Sequence, residues 1–235
     1  MSIKTKDKIK EFSKKINIEF NNINFLKQAF VHKSYLNENH SFELGHNERF
    51  EFLGDAVLEL VSTVYLYKHF PVKPEGELTN IRASLVNSDS LTDEAVRLNL
   101  EAYLFLSHGE SKDKNSKARK YILANCVEAI IGAIYLDSGY EKASWFIEKN
   151  ILYKLPNIMN KELYIDPKTK FQEKAQEVYN ITPKYKLLEE KGPDHKKIFT
   201  IGLYINSDLI SKGKGESKQE AEIDAAKAGI KKNNW

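Results

Sequence analysis

"NERFEFLGDAVLEL", residues 47–60, sets Glu48, Glu51, Asp55 and Glu59 among Phe50, Phe52, Leu53, Val57, Leu58 and Leu60. The apolar residues fall on more than one side of a helix, which suits a segment at the centre of a helical domain. Glu48, Glu51 and Asp55 stand at i, i+3 and i+7 and share one face. Gly54 beside them lets another backbone or a ligand come close. Carboxylates on one face repel each other unless a cation neutralises them, and hard divalent ions such as Mg²⁺ take oxygen ligands. A second apolar segment, "ILANCVEAIIGAIYLDSG" (122–139), offers Asn125 and Glu128 at i, i+3. Two such helices face to face would hold a metal between them. The competing reading leaves the acids on solvated faces or pairs them with Arg49, Arg82 or Arg119, and Glu59 is assigned there as a surface or ion-pair residue.

Outward from this stretch the period stays helical to about residue 155. Ile9, Phe12 and Ile16 recur on one face of a first helix, and "FLKQAFVH" (25–32) reads as a short second one. The helix carrying the acids ends before Pro71. "GELTNIRASLVNSDSLTDEAVRLNL" (76–100) reads as one helix, or two joined near Asn87. "HGESKDKNSKARK" (108–120) is the most polar stretch and is expected as an exposed loop. The second apolar helix should stop at Gly139, followed by a last helix in "YEKASWFIEKNIL" (140–152).

After "NKELYIDPKTK" (160–170), read as a linker punctuated by Pro167, the pattern changes. A short helix, "KTKFQEKAQEVY", precedes three strands: "PKYKLLEEKG", "KKIFTIGLYIN" and "LISKGKG". In the second, Phe199, Ile201, Leu203 and Ile205 alternate toward one face. A closing helix starts at Ser217 with Glu220 three residues on, a capping-box pattern, and Ala221, Ala225 and Ala228 line its sheet-facing side. The fold class expected is an all-α N-terminal domain plus a small α+β domain of order α-β-β-β-α. The expected boundaries are 1–160, a linker at 161–166, and 167–235.

Bulk properties set outer limits. The 235 residues are 41% hydrophobic and 11% aromatic, enough for packed cores. One cysteine, Cys126, allows no intrachain disulfide and suits a reducing compartment. The lysine-rich N-terminus lacks the apolar region of a secretory signal, and no run of about 18 apolar residues appears, so no membrane span is expected. A cytoplasmic protein is expected. Net charge is +3. The residues from Asp166 onward hold 14 Lys, no Arg and 11 acids, so the excess positive charge lies in the C-terminal part.

"NERFEFLGDAVLEL" resembles the signature of bacterial ribonuclease III almost residue for residue. "GELTNIRASLVN", "LSHGE" and "ILANCVEAIIGAIYLDSGY" match further segments of that family in order. "DPKTKFQEKAQ", "GPDHKKIF" and "GKGESKQEAEIDAAKAG" resemble the double-stranded RNA-binding domain that follows in those enzymes. The resemblance covers nearly the whole chain.

It implies a homodimer of helical endonuclease domains, each hydrolysing one phosphodiester of double-stranded RNA with Mg²⁺, Mn²⁺ serving as a substitute. One or two ions per site remain open. The products implied are 5′-phosphate and 3′-hydroxyl ends with short 3′ overhangs, and the substrates ribosomal RNA precursors and other structured transcripts. Carried over by position, Asp55 and Glu128 are the catalytic acids, and Glu51, Asn125, Glu128 and Asp55 the metal ligands. Glu48 lies near the substrate path. Phe52 packs across the dimer interface, its alternative being a Phe of its own chain's core. Thr169, Gln172 and Glu173 make a first minor-groove contact, and His195 in the "GPDH" loop a second. Lys214, Ser217, Lys218 and Gln219 bridge phosphates at a helix start. The family usually has Asp where this chain has Asn125. Asn keeps an oxygen for the ion but removes a charge, so weaker metal binding is expected. That departure alone favours the rival reading, a catalytically weak protein that binds duplex RNA without cutting.

Overall fold

A computed structural model describes residues 3–113, 116–193 and 197–235. The chain forms two compact units, Met1–Tyr164 and Ile165–Trp235. The first contains α1 (Ile3–Lys15), α2 (Ile23–Ala29), α3 (Lys33–Glu38), α4 (Glu48–His69), α5 (Glu75–Val86), α6 (Ser88–Arg97), α7 (His108–Lys112), α8 (Lys117–Asn150) and α9 (Leu155–Asn160).

The opening stretch becomes α4. Glu48 and Glu51 occupy its first turn and Lys68 and His69 its last, each sign of charge at the end whose backbone dipole favours it. Phe50, Val57, Leu58, Val61 and Leu66 are buried in one large core. The partner of α4 is α8, and their axes meet backbone to backbone. A Cβ added to Gly54 would lie 1.8 Å from the Glu128 carbonyl oxygen, and one on Gly132 2.2 Å from that of Phe50. Two glycines facing each other thus permit the approach that sets Glu51 and Asp55 opposite Asn125 and Glu128.

The join near Asn87 is a true break: its side-chain oxygen accepts from Ser90 N and caps α6. Within α8, Gly139 adopts φ 79°, ψ −176°, so two helical stretches meet there at a kink. The sequence predicts a loop over 108–120; the structure instead has the single-turn α7 and the start of α8, each capped by a serine, Ser107 and Ser116. The periodicity also left α3 and α9 unmarked, both being only six residues long. One stretch within Lys117–Asn160 is apolar and long enough to span a bilayer by composition, against the sequence expectation. That window is 61% buried and packs as the central helix of this unit.

Residues 161–166 carry turns and no regular element. The second unit holds α10 (Pro167–Tyr179), β1 (Lys184–Lys191), β2 (Ile198–Ile205), β3 (Asp208–Gly215) and α11 (Lys218–Asn233). Pro167 opens α10, where its missing N–H costs nothing, and Asp166 caps it by accepting from Lys168 N and Thr169 N. The strands form one antiparallel sheet in the order β1-β2-β3. Ile201, Leu203 and Ile205 turn inward as the alternation predicts. Leu203 and Ile205 join Phe171 and Ala175 of α10 and Ala225 and Ala226 of α11 in one core. The small-residue face of α11 is Ala221, Ala225, Ala226 and Gly229. Ala228 is only partly buried, because the 100° step per residue carries it off the sheet-facing stripe.

Candidate functional site

Asn47 precedes α4 with its backbone N–H on the Val31 carbonyl at 2.8 Å and its side chain donating to Ala29 O at 3.3 Å. The start of α4 is thereby tied to the strand-like segment after α2, and Glu48 and Glu51 are held at the rim of a cleft. That cleft is about 620 Å³, lined by His32, Lys33, Glu48, Glu51, Glu110 and Asn125 among others.

Glu51 and Asn125 meet directly: Asn125 Nδ2 donates to Glu51 Oε1 at 2.9 Å. Burial raises the Glu51 pKa above its ordinary value, this hydrogen bond opposing it and the charges of Glu48 and Asp55 adding to it. Burial likewise pushes Glu128 up to about 8, with Asp55 and then Glu51 contributing. The two helices therefore bring Glu51, Asp55 and Glu128 into one electrostatic neighbourhood. Arg82 and Arg119 do not pair with Glu51, Asp55 or Glu128. Arg82 Nε binds Glu59 at 2.8 Å, so Glu59 is an ion-pair residue as predicted. Arg119 is buried, donates to the carbonyls of Asp113 and Glu110, and faces Glu101 at 4.0 Å. Lys33 takes Glu48 at 3.0 Å.

Among the described residues no three His, Cys, Asp or Glu side chains are grouped closely enough to hold an ion by themselves. The donor set nevertheless has the chemistry of a hard-cation site. Its members are oxygen ligands, burial and the neighbouring carboxylates raise the pKa of Glu51 and Glu128, and a bound cation would offset that repulsion. Asn125 belongs to that set through its position on Glu51; turning its amide over presents Oδ1 in place of Nδ2.

Phe52 is 82% exposed, which sets aside the alternative that it fills its own chain's core. His32, Lys33 and Glu110 were not found from sequence, since they come from α3 and α7, remote in the chain and without periodic signal.

In the second unit Thr169, Gln172 and Glu173 are exposed at i, i+3 and i+4 on α10. Lys214, Ser217, Lys218 and Gln219 are exposed where β3 hands over to α11. Ser217 Oγ accepts from Glu220 N at 3.1 Å, while Glu220 reaches back to the N–H of Glu216, one residue beyond the capping-box position. The Lys218 ammonium stands 6.0 Å from the Phe199 ring centre. His195 lies outside the described residues.

Comparison with known proteins matches these units separately. A Ribonuclease-III-like family model covers residues 22–155, and a double-stranded RNA binding motif covers 167–233. Ribonuclease 3 of Borreliella burgdorferi is 42% identical over 226 residues, 96% of this chain and 91% of that protein. Ribonuclease 3 of Carboxydothermus hydrogenoformans is 44% identical over 225 residues, 96% and 95% of the two. The crystallised nuclease domain of ribonuclease III from Campylobacter jejuni, 39% identical, superposes with a TM-score of 0.52 over 60% of this chain and 97% of its own. Matched in both units and along nearly its whole length, the chain belongs to the ribonuclease III family of endoribonucleases, with a double-stranded RNA-binding domain behind the nuclease domain.

Proposed function

We propose that this chain is a Mg²⁺-dependent endonuclease that cuts both strands of duplex RNA as a cytoplasmic homodimer. Its products carry 5′-phosphate and 3′-hydroxyl ends with short 3′ overhangs, and its substrates are ribosomal RNA precursors and other structured transcripts. The observation that carries this reading is the set of three acids where α4 meets α8, Glu51 and Glu128 partly buried and Asp55 exposed beside them, with no basic side chain paired to them among the described residues. Such a set is costly unless it serves a cation.

In this reading Glu51, Asp55, Glu128 and Asn125 hold Mg²⁺, or Mn²⁺ in its place, with Asp55 and Glu128 at the reacting phosphate. Bound there, the ion supplies a Lewis acid and a water of lowered pKa. Glu128, pushed up to about 8 by burial, would give up its proton on becoming a ligand, and Glu51 would be relieved of the burial cost that raises it. Asn125, which donates to Glu51 in the absence of an ion, would present its amide oxygen to one. Glu48 stays outside this set, neutralised by Lys33 at the edge of the cleft.

Residues 1–160 form the nuclease module and 167–235 the module that grips duplex RNA. Thr169, Gln172, Glu173 and His195 enter minor grooves, and Lys214, Ser217, Lys218 and Gln219 meet phosphates. Phe52 anchors the dimer; the related domain from Campylobacter jejuni is described for flexibility in a region involved in dimer formation. The rival, binding without cutting, draws support only from Asn125, which here acts as a donor to a ligand acid. A labelled RNA duplex incubated with and without Mg²⁺ separates the two: cleavage that EDTA stops supports the nuclease, and intact duplex in excess Mg²⁺ supports the rival.

A further inference from the structure

The cleft beside Glu51 and Asn125 has an opposite wall made of His32, Lys33 and Glu110. The His32 ring is fixed by two contacts to one nitrogen. Ser34 N lies 3.3 Å from Nδ1 and Ser34 Oγ 2.8 Å from it. A backbone N–H can only donate, so Nδ1 is the acceptor and the ring proton sits on Nε2. The serine hydroxyl agrees with this. Ser107 N donates to Ser34 Oγ at 3.1 Å, which leaves the hydroxyl proton to point at Nδ1. Burial holds the His32 pKa below its ordinary value, with Glu110 opposing, so the ring is neutral at pH 7. Its Nε2–H has no acceptor among the described residues. Glu110 is the acid that acts most strongly on this ring, and no described side chain bonds to its carboxylate.

Charge decides what such a pair would take. Glu48, Glu51 and Glu110 line the cleft against one lysine, Lys33, which is engaged by Glu48 at 3.0 Å. A second anion is disfavoured on this wall. A neutral group that accepts from an N–H and donates to a carboxylate is favoured. On duplex RNA the ribose 2′-hydroxyl is that group, and DNA lacks it.

We propose that His32 and Glu110 form a subsite for one ribose 2′-hydroxyl near the bond being cut, His32 Nε2–H donating to its oxygen and Glu110 accepting its proton. The subsite rests on the nuclease reading above and deepens it: the nuclease unit itself then selects RNA over DNA.

The test combines His32→Asn with duplexes that each carry a single 2′-deoxynucleotide at successive positions around the cleaved bond. Asparagine keeps an oxygen where Nδ1 stood, so the cap on α3 survives, but it places no donor at the Nε2 position. Wild-type protein should lose about ten-fold in kcat/KM at one such position, the scale of one net hydrogen bond. His32→Asn should lose about ten-fold on the all-ribose duplex and nothing further at that position, while staying as sensitive as wild type elsewhere. Glu110→Ala, read in the same way, should erase sensitivity at the same position and keeps the test decisive if His32→Asn folds poorly. Wild-type rates from His32→Asn, or unchanged sensitivity in both variants at every position, would overturn the subsite while leaving the nuclease reading intact. Failure of wild-type protein to cut the all-ribose duplex in Mg²⁺ overturns the nuclease reading and the subsite together.

Discussion

Asn125 Nδ2 lies 2.9 Å from Glu51 Oε1, a neutral amide donating to a half-buried acid across the contact between two helices. In the metal-free protein this contact relieves part of the strain that burial imposes on Glu51. Replacing the donor by a carboxylate reverses its effect. Asn125→Asp should destabilise the metal-free protein by about 1–2 kcal/mol, since a donor is lost and a like charge gained. It should also lower the Mg²⁺ concentration needed for half-maximal cleavage, because the ion gains a charged ligand. Urea unfolding in EDTA and a Mg²⁺ titration of the cleavage rate measure the two effects; an unchanged or higher Mg²⁺ requirement would place Asn125 off the ion.

Glu128 gives the site a pH dependence of definite sign. Its carboxyl is raised to about 8 from an ordinary 4.5 by burial, then by Asp55 and Glu51. The folded chain keeps this proton where the unfolded chain has lost it, so metal-free protein loses stability as pH rises from about 4.5 through about 8. After solvent screening the loss is roughly 1–3 kcal/mol. Glu128→Gln should flatten that fall and abolish cleavage, while duplex binding stays within a few-fold. Denaturant midpoints at pH 5 to 9 in EDTA, with cleavage assays alongside, check it; an unaltered slope in the variant would assign the titration to another group.

The glycine contact sets a steric test. A methyl on Gly54 would stand 1.8 Å from the Glu128 carbonyl oxygen. The obstacle is backbone, so no side-chain rotation can clear it. Gly54→Ala should cost about 3 kcal/mol or more, the upper end of overpacking penalties, and separate the two acid pairs enough to stop cleavage. Full stability in urea unfolding would mean that the helices slide past each other freely.

Phe52 should separate dimerisation from folding. With 82% of its surface exposed, the ring contributes little to its own chain's core. Phe52→Ala should leave helical content intact and weaken the dimer about 30-fold, the effect of removing an anchor worth about 2 kcal/mol. Sedimentation equilibrium across protein concentrations reads this directly, and an unchanged dimer constant would move the interface elsewhere.

Lys218 tests the second unit. Exposed at the start of α11, it should contact phosphate and release condensed counterions. Lys218→Ala should make the log–log dependence of duplex RNA affinity on salt shallower by roughly 0.7–0.9, equally for different sequences, because phosphates carry no base information. A sequence-dependent loss with unchanged slope would indicate a base contact.

The sequence by itself determined most of the longer elements, though not α3, α7 and α9. Helical periodicity, the stop at Gly139 and the alternation through Ile201, Leu203 and Ile205 are local properties, set by backbone sterics and by which face must leave water, whereas the structure settled that two helices meet at Asn87. The acids on α4 and the Asn125–Glu128 pair on α8 were legible for the same reason: spacing along one helix fixes which side chains share a face. Only the tertiary structure decided what lies between helices. The depth at which Gly54 and Gly132 let α4 and α8 approach, the donation from Asn125 to Glu51, and the elevated pKa of Glu128 depend on burial and on charges far apart in sequence. His32 and Glu110 reach the same cleft from segments 78 residues apart. No periodicity connects them; the contacts of α3 with α7, Ser34 with Ser107 and Glu38 with His108, and of Lys33 with Glu48 do, because a chain's contacts across space follow from which surfaces it must bury and not from the order of its residues.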